Sequence, residues 1–183
     1  MDRLPTFAFL RRRGIVLGDD QGGCIRCGEG EETGDHLLFL CGFTQWVWEW
    51  FVGWWDVCLP LSSSLFGLLG ASMQCLFSGD LVQWWSASVA TMLWSLWLCR
   101  NEAVFNRKLL SFDEVCFLIK ARSYYWVKVA AEFSNIDEAQ WLLCPRLCAT
   151  TSVQVRPRLG ISWCPLYSGY FTFTSRVWGR APE

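Results

Sequence analysis

Cys24, Cys27, His36 and Cys41 stand at the spacing Cys-x2-Cys-x8-His-x4-Cys. Two cysteines separated by two residues can turn both sulfurs toward one point. Gly28, directly after the second, lets the backbone fold tightly, with amides free to face thiolates. His36 and Cys41 complete a set of three sulfurs and one nitrogen, the donor set of a structural zinc site. Four protein ligands leave no open position for a catalytic water. His36 is the single histidine of the chain and falls where the fourth ligand is needed. Two competing readings remain open. In one, a cysteine-rich chain produces Cys-x2-Cys by chance and His36 is an ordinary residue near a helix start; in the other, Cys24 and Cys27 form a disulfide. The remaining seven cysteines (Cys58, Cys75, Cys99, Cys116, Cys144, Cys148, Cys164) lie in apolar runs or near the C-terminus and read mostly as small hydrophobes.

No other catalytic constellation is visible. There are no paired carboxylates in an acidic-metal pattern and no glycine-rich phosphate loop before a helix, so the expectation is a non-enzymatic protein without a small-molecule substrate. Arg11, Arg12 and Arg13 precede the cysteine segment and Arg26 lies inside it; these four are the candidates for contacting the phosphates of RNA or single-stranded DNA. Asp19, Asp20, Glu29, Glu31, Glu32 and Asp35 argue against it. Residues 19–35 carry a net charge of −5, which repels phosphate within a Debye length of ~8 Å. Arg11–Arg13 also read as a solvated helix face, and the zinc segment as a staple that docks helices to a protein partner.

The elements that must position these residues can be read from composition and period. The chain has 183 residues, which suggests one domain or one domain plus tails. Hydrophobic residues make up 52% and charged residues 18%, with thirteen Trp and thirteen Phe. That excludes disorder as the main description, and a net charge of −1 excludes a strongly basic histone-type domain. The charge is uneven. Residues 1–60 carry −4, residues 61–144 carry −1, and residues 145–183 carry +4. Residues 1–13 lack the long apolar segment of a secretory signal, so the expected location is intracellular, nuclear or cytoplasmic. A mainly α chain is expected: a small zinc-knuckle loop at about 22–41, three or four apolar helices within about 44–143, and an irregular, poorly ordered tail over 145–183. Asp80–Gln83 and Ser111–Glu114 read as capping boxes, opening helices over about 81–105 and from Ser111 on. Val115, Leu118, Ile119, Trp126, Val129 and Phe133 recur at mostly helical spacing. Asn135 with Glu138 suggests a short helix ending before Pro145. Residues 45–55 read as helix, with strand as the alternative because of their aromatic density. A membrane span at about 81–99 is the weaker option, since that run is long enough but carries Gln83, Ser86, Ser88, Thr91 and Ser95.

Taken together these residues resemble a known family. Leu4-Pro5-Thr6, Leu10 and Arg13-Gly14-Ile15 come first. Cys24-x2-Cys27-Gly28, Asp35-His36-Leu37-Leu38-Phe39 and Cys41 follow, then Trp48, and finally Trp94-x2-Trp97-x2-Arg100-Asn101 and Phe105. This order resembles the reverse transcriptase zinc-binding domain of plant LINE-type, non-LTR retrotransposons, over about residues 4–130. The resemblance implies a zinc-dependent module that follows a polymerase core in a parent polyprotein. No Tyr-x-Asp-Asp polymerase motif is present. Residues 163–176 faintly resemble the lead-in to an RNase H domain, with Thr172, Thr174 and Arg176 where that domain's Lys, Asn and first catalytic Asp are expected. The implied chain, residues 1–144 being the domain proper, is a truncated piece of such a polyprotein. Two functions stand: a zinc-binding module that contacts nucleic acid, and a zinc-binding protein-interaction module that does not.

Overall fold

The structure, a computed structural model, describes residues 4–15, 23–57, 77, 79–130 and 136–151, the last three as backbone alone. The described chain is mainly helical, with 73% of it in helices and no strand. In chain order come α1 (Phe7–Arg12), a π-helical turn (His36–Leu40), α2 (Gly42–Trp54), α3 (Asp80–Asn106), α4 (Phe112–Ala130), α5 (Glu138–Leu143) and α6 (Pro145–Thr151). The segment read as either helix or strand is thus the helix α2. Of the tail expected to be irregular from residue 145, the described part is the helix α6, and its Cys148 is buried in the common core. The remainder of that tail, with the faint RNase H resemblance, lies outside the described residues.

The helix starts show which local signals were used. The Ser111 box forms reciprocally: the Glu114 amide donates to Ser111 Oγ at 3.3 Å and the Ser111 amide to Glu114 Oε2 at 2.7 Å. The Asp80 box does not form. Gly79 is the residue before α3, and Asp80 already lies in the first turn, where its charge faces the positive helix end. α5 is capped by Asp137, whose carboxylate accepts from the Gln140 amide at 2.8 Å, rather than from position 135.

The core is aromatic. Trp55, just past α2, meets Trp85 of α3 edge-on at 5.2 Å and Trp141 of α5 at 5.9 Å. Such edge-to-face pairs contribute beyond their area burial. Indole N–H groups tie the helices together: Trp54 Nε1 donates to the Trp141 carbonyl, and Trp141 Nε1 to Ser123 Oγ of α4, each at 3.2 Å. α3 and α4 share the largest helix–helix contact, bridged by Arg122 Nη1 to Ser95 Oγ at 3.0 Å. Two polar residues of α3 bond back within the helix, Ser86 on the Val82 carbonyl and Thr91 on the Ala87 carbonyl, both at 2.7 Å, whereas the buried Ser88 hydroxyl has no partner. No helix among the described residues is long and apolar enough to cross a membrane, which removes the span considered at 81–99.

A buried ion pair joins the N-terminal elements to this core. Arg100 of α3 donates to Glu32 Oε1 from Nη2 at 2.6 Å and from Nε at 3.0 Å; the two residues are 1% and 0% exposed. The same oxygen accepts the Phe7 amide at 3.2 Å, and the Glu32 carbonyl accepts that of Ala8 at 3.3 Å. Glu32 therefore serves the first amides of α1, whose N-cap is Thr6, and an arginine 68 positions away. The arginine also sits over the Phe7 and Trp97 rings, at 4.7 and 5.4 Å. Glu32 is consequently not one of the surface charges that repel phosphate, as the sequence suggested. Removing one partner strands a buried charge. Arg100→Met is expected to lower unfolding stability by about 3–5 kcal/mol in urea titrations followed by circular dichroism. A loss below about 1 kcal/mol would show that the pair does not hold these elements.

Candidate metal centre

The first half of the segment from residue 22 to Cys41 holds a single large apolar residue, Ile25, so its geometry depends on turns and on its own polar groups. An isolated antiparallel bridge joins Gly23 to Glu31, and the Cys24 amide donates to the Gly30 carbonyl at 3.1 Å. Inside this small loop the chain turns sharply from Cys24 to Cys27. Gly28 closes the turn with φ +73°, a left-handed conformation that side-chain-bearing residues rarely adopt. Its amide donates to the Cys24 carbonyl at 2.8 Å and is spent on the turn. The amides of Cys27 and Arg26 do act on the Cys24 sulfur, drawing its pKa down against larger opposing effects.

The second half is set by the π-helical turn. His36 and Cys41 are five positions apart, one too many for neighbours on an α-helical face. Here the Cys41 amide donates to the His36 carbonyl at 2.8 Å, the wide i to i+5 hydrogen bond of a π turn. Thr33 Oγ1 holds the His36 amide at 3.0 Å. Two side chains of α2 cover the following carbonyls: Thr44 Oγ1 bonds that of Leu37 at 2.8 Å, and Trp48 Nε1 that of Leu38 at 2.9 Å. The π geometry is therefore fixed from outside by the next helix. Gly30, at φ +68°, lies against the imidazole; a Cβ there would meet His36 Cε1 at 3.6 Å.

The result brings together the four residues that the spacing singled out. The ligand atoms of Cys24, Cys27, His36 and Cys41 all lie within 4.8 Å of one another. Cys24 Sγ is 3.9 Å from Cys41 Sγ, and Cys27 Sγ is 3.4 Å from His36 Nε2. A tetrahedral zinc with sulfur at 2.3 Å and nitrogen at 2.0–2.1 Å requires S–S edges of about 3.8 Å and S–N edges of about 3.6 Å. These two of the six edges are close to that tetrahedron, and with all four donor atoms within 4.8 Å of one another the set can hold a metal ion. All the described cysteines are free thiols, which excludes the Cys24–Cys27 disulfide here. Cys24 and Cys41 are buried, whereas Cys27 and His36 are partly exposed. Contact between the two buried sulfurs raises the Cys24 pKa. It lowers that of Cys41 to about 5, helped by the amides of Thr44 and Phe43 at the start of α2. The buried thiols outside the cluster differ from Cys41: burial raises Cys116 to about 12 and Cys148 to about 11, and it raises Cys99 as well. They are neutral, packed thiols, as their apolar surroundings in the sequence implied.

The arginines divide. Arg11, Arg12 and Arg13 are exposed at the end of α1. Arg12 Nε donates to the Ala8 carbonyl at 3.3 Å, and the Arg13 guanidinium lies 4.7 Å from the Phe9 ring centre. Arg26, also a candidate phosphate contact, is half-buried and engaged inward. Its Nη1 donates to the Leu110 carbonyl at 2.7 Å, and its guanidinium lies 3.9 Å above Phe43. Burial draws its pKa down, opposed by the sulfurs of Cys99, Cys41 and Cys24. Two functional features escaped the sequence reading: the Glu32–Arg100 pair and the π turn. The five-residue separation of His36 and Cys41 was the available signal for the second, and a lone arginine in the apolar run of α3 for the first.

The fold and site define a mainly helical protein with a Cys3His cluster that can bind a metal ion. Comparison with protein-family models, curated proteins and solved structures finds no match.

A metal-binding cluster of this kind is expected to retain about one equivalent of metal per chain through purification without chelator. Cys27→Ser and His36→Ala are expected to lose most of it, and Cys144→Ser none, by elemental analysis. Acidification is expected to release the metal, because protons compete for thiolates and imidazole. Metal retained after both His36 and Cys41 are replaced would overturn the four-ligand assignment.

Proposed function

We propose that the cluster holds a structural zinc ion in a non-catalytic module of the reverse transcriptase zinc-binding type, and that this module contacts nucleic acid. The observation that carries the zinc reading is the convergence of one Cys3His group within 4.8 Å, with two of its edges, 3.9 Å between sulfurs and 3.4 Å between sulfur and nitrogen, near those of a zinc tetrahedron. Three thiolates with one imidazole favour zinc over harder ions such as magnesium or calcium. Four protein ligands close the coordination sphere, so the ion's contribution is cohesion rather than water activation. A structural zinc supplies apparent free energies of about 10–16 kcal/mol at neutral pH. That suffices to order a segment too short to bury a core of its own.

The family assignment rests on the joint order of the motifs, and the part each residue plays supports it. Thr6 caps α1, Trp48 bonds the π turn, Trp97 lies beneath Arg100, and Arg100 pairs with Glu32 of the metal segment. Residues spread over a hundred positions thus act on one small region. The parent polymerase would be the protein partner of such a module.

Nucleic-acid contact falls to Arg11, Arg12 and Arg13, since Arg26 is engaged within the protein. Phe9 beside Arg13 adds an aromatic surface of the sort on which bases stack. Glu29, Glu31 and Asp35 are exposed near the cluster and oppose it, so binding is weak and without sequence preference. The alternative, a protein-interaction module, is favoured by a different observation. Phe117, Tyr125 and Val129 of α4, at helical spacing, are 63%, 71% and 69% exposed.

Fluorescence anisotropy with single-stranded RNA and DNA is expected to give dissociation constants near 10⁻⁴–10⁻⁶ M, with a log–log salt slope of about −2 for three phosphate contacts. The triple variant Arg11→Ala, Arg12→Ala, Arg13→Ala is expected to abolish most of this binding while keeping its zinc. Equal binding by wild type and the triple variant would remove these arginines from the interface; no binding by either would leave the protein-interaction reading.

A further inference from the structure

A Cys3His centre loaded with a divalent ion is not neutral. Three thiolates and one neutral imidazole around a 2+ ion leave a net charge of −1, half of it walled off from water by the buried Cys24 and Cys41. A buried charge without a partner is costly. Arg26 stands between two of the ligands in sequence, in the turn that presents Cys24 and Cys27. Its guanidinium is held on two sides, by the Leu110 carbonyl on Nη1 and by the Phe43 ring beneath. Phe43 is two residues beyond the ligand Cys41. Of its other two nitrogens, Nη2 is buried and has no hydrogen-bond partner. The sulfurs within electrostatic reach of this guanidinium are those of Cys99, Cys41 and Cys24, the last two members of the cluster.

We propose that Arg26 is the counter-charge of the metal centre, a positioning residue whose guanidinium stabilises the thiolates of the loaded cluster. The proposal rests on the metal reading above. It makes metal affinity depend on a residue that is not a ligand. It also gives the centre a mechanical consequence: the arginine that neutralises the thiolates is the one that grips the carbonyl of Leu110, 84 positions away in the connection between α3 and α4. Loading the site therefore fastens the metal segment to the helical core.

Two variants separate charge from packing. Arg26→Gln removes the charge and leaves a shorter, neutral planar group in the same turn. Arg26→Lys keeps the charge and loses the planar fork. Zinc affinity of the full chain is measured by competition with a chromophoric chelator. The electronic state of the sulfurs is read from the sulfur-to-cobalt charge-transfer band of the cobalt(II)-substituted protein. Arg26→Gln is expected to bind one metal per chain with 10–100-fold lower affinity, the loss typical of groups just outside a metal's ligands. Its charge-transfer band is expected to move to lower energy, since thiolates without a neighbouring cation are more easily oxidised. Arg26→Lys is expected to stay closer to wild type in both. Wild-type affinity and band position in Arg26→Gln would overturn the proposal, as would an Arg26→Lys variant as weak as Arg26→Gln. A wild-type chain that holds no metal, or a Cys27→Ser chain that holds as much, would instead overturn the metal reading beneath it.

Discussion

A carboxylate and a guanidinium removed from water constrain each other far more tightly than the same pair on a surface. Each charge loses its hydration, and only good geometry from the other makes up for it. Glu32 and Arg100 meet with two hydrogen bonds onto one oxygen, Oε1, while Oε2 is buried without a partner. Because Oε1 also receives the first amide of α1, three parts of the chain distant in sequence are fixed at one point. Glu32 lies between the second and third members of the metal cluster, so the pair fixes the middle of the loop whose ends are fixed by the cluster. The aromatic core alone could not do this. An apolar contact tolerates sliding, whereas a buried ion pair has one acceptable arrangement.

The first half of the metal segment has no apolar core of its own. Its order comes from three anchors of different chemistry: the Cys3His group, the Glu32 carboxylate, and Arg26 on the Leu110 carbonyl. The tryptophan-rich helices behind it form the opposite kind of structure, in which burial of large rings dominates. The two meet at α2. Cys41 precedes the first residue of that helix, the next turn supplies Thr44 to the π turn, and the turn after supplies Trp48. The same helix ends among Trp54 and Trp55, in the middle of the core. Cohesion at the metal is thereby transmitted along one rigid element to the packed aromatic centre.

This internal use of charge alters the electrostatic picture that composition alone gives. Counting residues places a block of acids and one arginine around the cysteines. In the fold, Glu32 and Arg100 are buried together and Arg26 turns toward the protein, so none of these three acts on a ligand in solution. Among the described residues of this region, the charges that face solvent are Arg11–Arg13 at the end of α1 and, on the loop, Glu29, Glu31 and Asp35. The balance at the surface is between those two groups.

The sequence by itself determined the helical class, the reciprocal cap at Ser111 and the identity of the four cluster residues. Each of these depends on residue types at short separation, where spacing alone limits the geometry. It did not determine which cap would be used at Asp80, because Gly79 offers a competing helix start one residue earlier and no local energy separates the two. Nor did it show that a span of 81–99 is a core helix, since a uniformly apolar face is compatible with lipid or with protein and only the neighbours decide. The π turn, the inward direction of Arg26 and the Glu32–Arg100 pair were decided by tertiary structure. The first depends on Thr44 and Trp48 holding carbonyls from the following helix. The other two join residues 84 and 68 positions apart, and the free energy of a buried charge exists only once the surrounding protein has excluded water from it.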